Sequence, residues 1–173
     1  NRRVTGLCNR IEAKHINGII ELVPTFASLT VFYDCTIISS KKLKKKIKSL
    51  INGGECDVKS TAKVWNIPVC YDDEFALDMK NVCSHTALER EEVIKLHTSK
   101  PYLIYMLGFL PGFAYLGGMD ERLFTPRLKT PRLEIFEGAV GIGGEQTGIY
   151  PIASPGGWKL IGKTPVKVFD KSK

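Results

Sequence analysis

The sequence predicts an α+β protein built as a small ferredoxin-like α/β domain over residues 1–60 and an all-β domain over residues 61–173. Three observations lead there. The first sixty residues carry helix and strand periodicities with few punctuating residues. Twelve of the sixteen glycines lie between Gly108 and Gly162, and seven of the nine prolines lie from Pro101 onward, so the second part is chopped into short segments. Short β segments punctuated every 8–12 residues or so suggest a barrel or sandwich. With 173 residues, 43% of them hydrophobic, the chain is long enough to build a core.

The elements follow in order. Val4, Leu7, Cys8 and Ile11 mark one face of a first helix. Ile19, Ile20, Leu22 and Val23 form an apolar strand that ends at Pro24, and Leu29, Val31 and Tyr33 alternate as the next, closed by Asp34. Leu43, Ile47, Leu50 and Ile51 then recur at helical spacing, with Ser39 or Ser40 to cap the start and Gly53-Gly54 to end it. Helix, two strands and helix make most of a small α/β sandwich, and one further strand ahead of Asn1 would complete a ferredoxin-like half.

The second part opens with a strand from Ala62 through Val64, Ile67, Val69 and Tyr71, followed by a polar helical region from about Leu77 to His97. Tyr102 to Phe109 is apolar enough for a buried strand. Later strands are expected over Leu133–Phe136, Ala139–Ile142, Thr147–Tyr150, Trp158–Ile161 and Val166–Phe169.

Charge and cysteine content exclude several classes. The net charge of +7 invites a nucleic-acid reading. Six lysines, Lys41, Lys42, Lys44, Lys45, Lys46 and Lys48, fall on the second helix, and the rest of the chain is nearly balanced. No arginine or aromatic residue interleaves with them, so a solvated helix face is expected, with no nucleic-acid partner. No apolar run approaches the roughly 20 residues of a membrane span, and no signal-peptide pattern occurs, so no membrane partner and a cytoplasmic location are expected. Five cysteines without a CxxC pair argue against a disulfide framework and a zinc site; no metal is expected.

Two nucleotide-binding patterns are formal matches only. Residues Gly157 to Thr164 fit G-x-x-x-x-G-K-[ST], but the inner residues are bulky and β-prone and Pro165 follows at once, so no helix N-terminus is available for a phosphate. Gly141-Ile142-Gly143-Gly144 opens like a dinucleotide fingerprint, but position 146 is Gln. The histidines His15, His85 and His97 are far apart in sequence and form no metal spacing; His97 is of most interest because it precedes the glycine-rich region.

That region carries the functional signal. Gly108 to Gly118 mixes aromatics and glycines too densely for a plain strand, and Phe113 and Tyr115 can form an apolar wall. Arg127 and Arg132 each follow a proline that fixes the local backbone, which suits bidentate capture of a carboxylate or phosphate. Gln146, Thr147 and Tyr150 supply amide and hydroxyl groups, and Trp158 a large ring. Aromatic walls with a few placed polar groups are the usual makings of a small-molecule site; turn and barrel-corner chemistry is the competing reading.

These stretches resemble the allophanate hydrolase subunit 1 family, which includes the B subunit of 5-oxoprolinase and the KipI kinase inhibitor. The residues that carry the resemblance are Gly108 to Leu116, Thr125-Pro126-Arg127, Thr130-Pro131-Arg132, Gly144 to Pro151 and Ser154 to Pro165, with Glu21 to Leu29 and Tyr33-Asp34 in the first part. The resemblance implies a cyclophilin-like β-barrel for the second domain, of the carboxyltransferase type found also in urea amidolyase. It implies one component of an ATP-dependent 5-oxoprolinase, inactive alone, that hydrolyses 5-oxo-L-proline to L-glutamate together with partners like the C and A subunits of that enzyme. ATP would be used by the complex. The alternative it implies is a KipI-like inhibitor with a sensor histidine kinase as partner. Family members carry a strand before the first helix and a segment beyond Asp170, so this sequence is expected to lack the first strand and the last part of the barrel. Substrate contacts are expected from Tyr115, Arg127, Arg132, Gln146, Thr147, Tyr150 and Trp158.

Overall fold

The computed structural model describes residues 2–51, 63–170 and 172. The chain divides into two compact units, residues 1–62 and 63–173. The predicted helix stop at Gly53-Gly54, the cysteine at 56 and the strand start at Ala62 lie outside the described residues.

The first unit runs α1 (Arg2–Ala13), β1 (Ile19–Pro24), β2 (Leu29–Tyr33) and α2 (Ser40–Ile51). The two strands pair antiparallel, with Leu22 opposite Val31. Ile11, Ile16, Ile38 and Leu43 form the buried centre, with Leu7, Leu22, Val31, Tyr33, Ile47 and Leu50 packed around it. Most of these are the positions at helical and strand spacing in the sequence. Arg10 on α1 donates from Nε to the Leu50 carbonyl at 2.9 Å, which satisfies a carbonyl of the last turn of α2. The Ser39 hydroxyl accepts from the Lys42 N–H at the start of α2, as the cap reading required.

The second unit begins with α3 (Met79–Thr86) and α4 (Arg90–Thr98), separated at Ala87, whose left-handed backbone (φ 55°) ends α3. A capping box between Glu89 and Glu92 starts α4. Seven strands follow: β3 (Leu103–Leu107), β4 (Ala114–Gly117), β5 (Arg132–Ile135), β6 (Ala139–Gly143), β7 (Gln146–Ile149), β8 (Ser154–Gly156) and β9 (Lys159–Lys163). Five of them form an antiparallel sheet in the order β3-β4-β7-β6-β9, and β5 pairs with β8 in a separate ribbon. One face of the large sheet, through Val140, Ile142, Ile149 and Ile161, packs with Met79 and Val82 of α3 and Val93 of α4. The opposite face carries Phe113, Ala139, Tyr150, Trp158 and Leu160, joined by Ile135 of the ribbon.

Four expectations are corrected. Residues 63–69 form no ladder among the described residues, and Val64 and Trp65 are exposed; Cys70 next to them bridges to Lys163. Pro68 removes a donor from that run. Tyr102–Phe109 yields β3 at the edge of the sheet, with Leu103, Ile104 and Leu107 exposed. Val166–Phe169 is irregular, following Pro165. Among the described residues the sheets do not close into a barrel. The outer edge of β9 is taken instead by Cys70, which exchanges two backbone hydrogen bonds with Lys163, and by Asp78, which bonds both backbone groups of Leu160. Two further strands, β4 and β8, occupy stretches that read as wall and turn in the sequence.

Candidate functional site

Side chains alternate along a strand, so register decides which residues can share a site. Tyr115 lies opposite Gly148, Gly148 opposite Gly141, and Gly141 opposite Leu160. These four face away from the helices. Gly143 and its partner Gln146 continue the same face, as do Tyr150 and Trp158 two residues from Gly148 and Leu160. Thr147, one residue out of phase, faces the helices.

The face is paved by glycine so that the indole can lie on it. A Cβ on Gly143 would fall 2.5 Å from Trp158 Nε1, and one on Gly148 would fall 3.0 Å from Trp158 Cζ3. The Gly143–Gln146 hairpin turns through Gly144, whose φ of +67° suits the first loop residue of a two-residue turn. Around the indole stand Phe113 and Tyr115, with ring centroids 5.4 and 5.7 Å away, and Phe113 in turn meets Tyr150 at 5.1 Å. Trp158 is 4% and Tyr150 2% exposed, so both are floor, and Tyr115 and Gln146 are half-buried rim. Gly143→Ala is therefore expected to lower stability by about 1–3 kcal/mol through overpacking, measured by urea unfolding, because a buried indole cannot yield.

Arg127 is set over this floor by its neighbours. Thr125 exchanges backbone hydrogen bonds with Gly144 at the hairpin tip, and the Leu128 N–H donates to the Gly157 carbonyl at 2.7 Å. Bracketed so, Arg127 is exposed and holds its guanidinium carbon 5.7 Å from the Trp158 ring centre. It forms no ion pair among the described residues. Arg132 differs. Its Nη2 lies 2.9 Å from Asp78 Oδ1, and Asp78 Oδ2 accepts from the Leu160 N–H at 2.7 Å. Burial raises the Tyr150 hydroxyl above its ordinary range, while a backbone hydrogen bond at Trp158 and the charges of Arg127 and Arg132 pull it back. Both arginines thus act on the same phenol.

The structure brings together Tyr115, Arg127, Arg132, Gln146, Tyr150 and Trp158. It does not bring Thr147 to them. That side chain is 1% exposed on the helix side, where its hydroxyl donates to the Gly141 carbonyl at 3.0 Å. It therefore accepts from His97 Nε2 at 2.9 Å, which leaves His97 Nδ1 to accept from the Tyr71 hydroxyl at 2.9 Å. The Tyr102 hydroxyl donates to the His97 carbonyl. His97 is thus a neutral, buried pin between α4 and β7. Burial lowers its pKa to about 4 and raises Tyr71 to about 12. An unfolded histidine takes its proton first as pH falls, so stability present above about pH 6.5 is lost toward pH 4, by up to roughly 3 kcal/mol. Urea unfolding at pH 7 and 4.5 should show that loss, and His97→Gln should shrink it.

Sequence reasoning missed Asp78. Asp78 stands 54 residues before Arg132, ahead of a helix, and looks there like an ordinary helix-start residue. Among the described residues no group of three or more His, Cys, Asp or Glu side chains could hold a metal ion. No helix there is long and apolar enough to cross a membrane.

The family model for the carboxyltransferase domain, subdomain C and D, matches residues 1–173. The B subunit of 5-oxoprolinase from Bacillus subtilis is 44% identical over 98% of this chain and 76% of its own length. Among solved structures, a conserved protein of Pyrococcus horikoshii, PH0987, is 44% identical with a TM-score of 0.62, over 99% of this chain and 78% of that one. TTHA0988 is 35% identical with a TM-score of 0.75, over 99% of this chain; the chain spans only 33% of that protein's length.

Proposed function

The chain belongs to the carboxyltransferase-domain family, subdomain C and D, together with the 5-oxoprolinase B subunits, and from that membership we propose that it is the B subunit of an ATP-using 5-oxoprolinase. In this reading its glycine-paved aromatic face receives 5-oxoproline. The supporting observation is Arg127, a guanidinium with no ion pair among the described residues, fixed by backbone hydrogen bonds above the Trp158 ring. Such a group fits the substrate carboxylate while the flat lactam ring lies against the aromatic wall. Tyr115 and Gln146 border the ring from the rim, and Tyr150 and Trp158 form the floor.

Opening an unstrained lactam at neutral pH needs an activated carbonyl. ATP supplies it by transferring its γ-phosphoryl group to the lactam oxygen and leaving as ADP. Water then adds to the ring carbon and the C–N bond breaks to leave an acyl phosphate, and a second water hydrolyses that acyl phosphate to glutamate and phosphate. Partners like the C and A subunits of 5-oxoprolinase share this work, and the present chain contributes fixed donors and cations. In the reconstituted complex, Arg127→Ala is expected to raise the KM for 5-oxoproline at least tenfold in assays of 5-oxoproline-dependent ADP release. An unchanged KM would remove Arg127 from the site and the substrate from this face.

A further inference from the structure

Residues 1–62 hold eleven of the 25 Lys and Arg residues and five of the 18 Asp and Glu residues. Six of the seven net positive charges therefore sit on the first unit, and six of its eleven cations are the lysines of α2. Leu43, Ile47 and Leu50 turn inward to the core of that unit, and Lys41, Lys42, Lys44, Lys45, Lys46 and Lys48 are all exposed.

This array works against the helix that carries it. Lys41 and Lys45, Lys42 and Lys46, and Lys44 and Lys48 are like charges four residues apart, which repel across one turn. Lys41 and Lys42 stand in the first turn, where the positive end of the helix dipole disfavours them, and no acidic residue offsets them there. None of the six forms an ion pair among the described residues. The helix is held instead by its apolar stripe and by Arg10 on the Leu50 carbonyl. A charge array that strains its own helix and is not neutralised by it has its complement outside the fold, in a surface rich in carboxylates.

The residue types distinguish among anions. α2 has no arginine to match a phosphate with a planar fork, and no aromatic ring on which a base could stack. Its apolar stripe is committed to the core of the unit and cannot enter a bilayer. What remains is a set of flexible ammonium groups, point charges that act at a distance and set the rate of encounter with an acidic protein face.

We propose that the lysine face of α2 is a docking surface for an acidic face of a partner subunit, and that it acts by steering the encounter. The identity of the partner rests on the 5-oxoprolinase reading. Every residue of the candidate substrate face belongs to the second unit, so docking and chemistry can be varied separately.

The test measures association of the full-length chain with each partner subunit by surface plasmon resonance at about 50 and about 300 mM NaCl. The wild-type association rate is expected to fall at least roughly tenfold across that range. Lys41→Gln, Lys45→Gln and Lys48→Gln combined in one chain should lower the rate about fivefold to twentyfold at the lower salt, flatten its salt dependence and change the dissociation rate less than about threefold. Its kcat for 5-oxoproline-dependent ATP hydrolysis at saturating subunits should equal the wild-type value, and its urea midpoint should be no lower, because repulsion along α2 is relieved. Lys→Arg at the same three positions should keep wild-type association. An unchanged association rate in the glutamine variant, or salt-insensitive association of an active wild-type complex, would overturn the docking surface. So would loss by that variant of binding to single-stranded RNA, or to phosphatidylserine vesicles, with subunit association intact; the face would then belong to nucleic acid or to a membrane. Wild-type chain that binds neither subunit and supports no 5-oxoproline-dependent ATP hydrolysis would instead overturn the oxoprolinase reading, and this partner with it.

Discussion

Trp158→Ala is expected to lower the unfolding free energy of the chain by about 3–5 kcal/mol, the range for removing a buried aromatic side chain. The indole touches most of the second unit's far face. It covers Gly143 and Gly148, meets the Phe113 and Tyr115 rings edge-on, and supports the Arg127 guanidinium. The glycines beneath it have no side chains with which to refill the space, so the cavity cannot collapse cheaply. Urea unfolding monitored by far-UV circular dichroism measures the loss. A change below about 1 kcal/mol would mean that the ring is not packed as described.

Asp78→Ala is expected to cost about 3–5 kcal/mol, because it leaves a largely buried guanidinium without its counter-ion. The carboxylate joins three segments distant in sequence. It accepts from Arg132 on β5 and from the Leu160 N–H on β9, and the Asp78 backbone N–H donates to the Leu160 carbonyl ahead of α3. Asp78→Asn keeps the shape and an acceptor but loses the charge, so it should be the milder change. The same unfolding assay compares them. Equal stability of wild type and Asp78→Ala would show that the ion pair contributes nothing to holding β9.

The first unit was legible from periodicity because its elements are local. Ile11, Leu43 and Ile47 recur at helical spacing, Leu29 and Val31 alternate, and all end in one core. The second unit was legible in composition and less so in boundaries. Its glycines and prolines marked it as a set of short β segments, but β8 reads Ser-Pro-Gly, which sequence rules assign to a turn. β3 reads as a buried strand because hydrophobicity reports how apolar a segment is and says nothing of whether a neighbour pairs with it. At the site, Arg127, Tyr115 and Trp158 stand out through residue type and spacing. Thr147 shared their neighbourhood in sequence and was set apart by a one-residue phase that only the register reveals. Asp78 carries no local signal, since it acts across 54 residues.

The measurement that bears most directly on the central claim is 5-oxoproline-dependent ATP hydrolysis by the full-length chain with its two candidate partner subunits, and by the partners alone. Turnover that appears only when this chain is present is the predicted result. Turnover by the partners without it, or none from any combination of well-folded subunits, would contradict the claim and turn attention to the inhibition of a sensor histidine kinase.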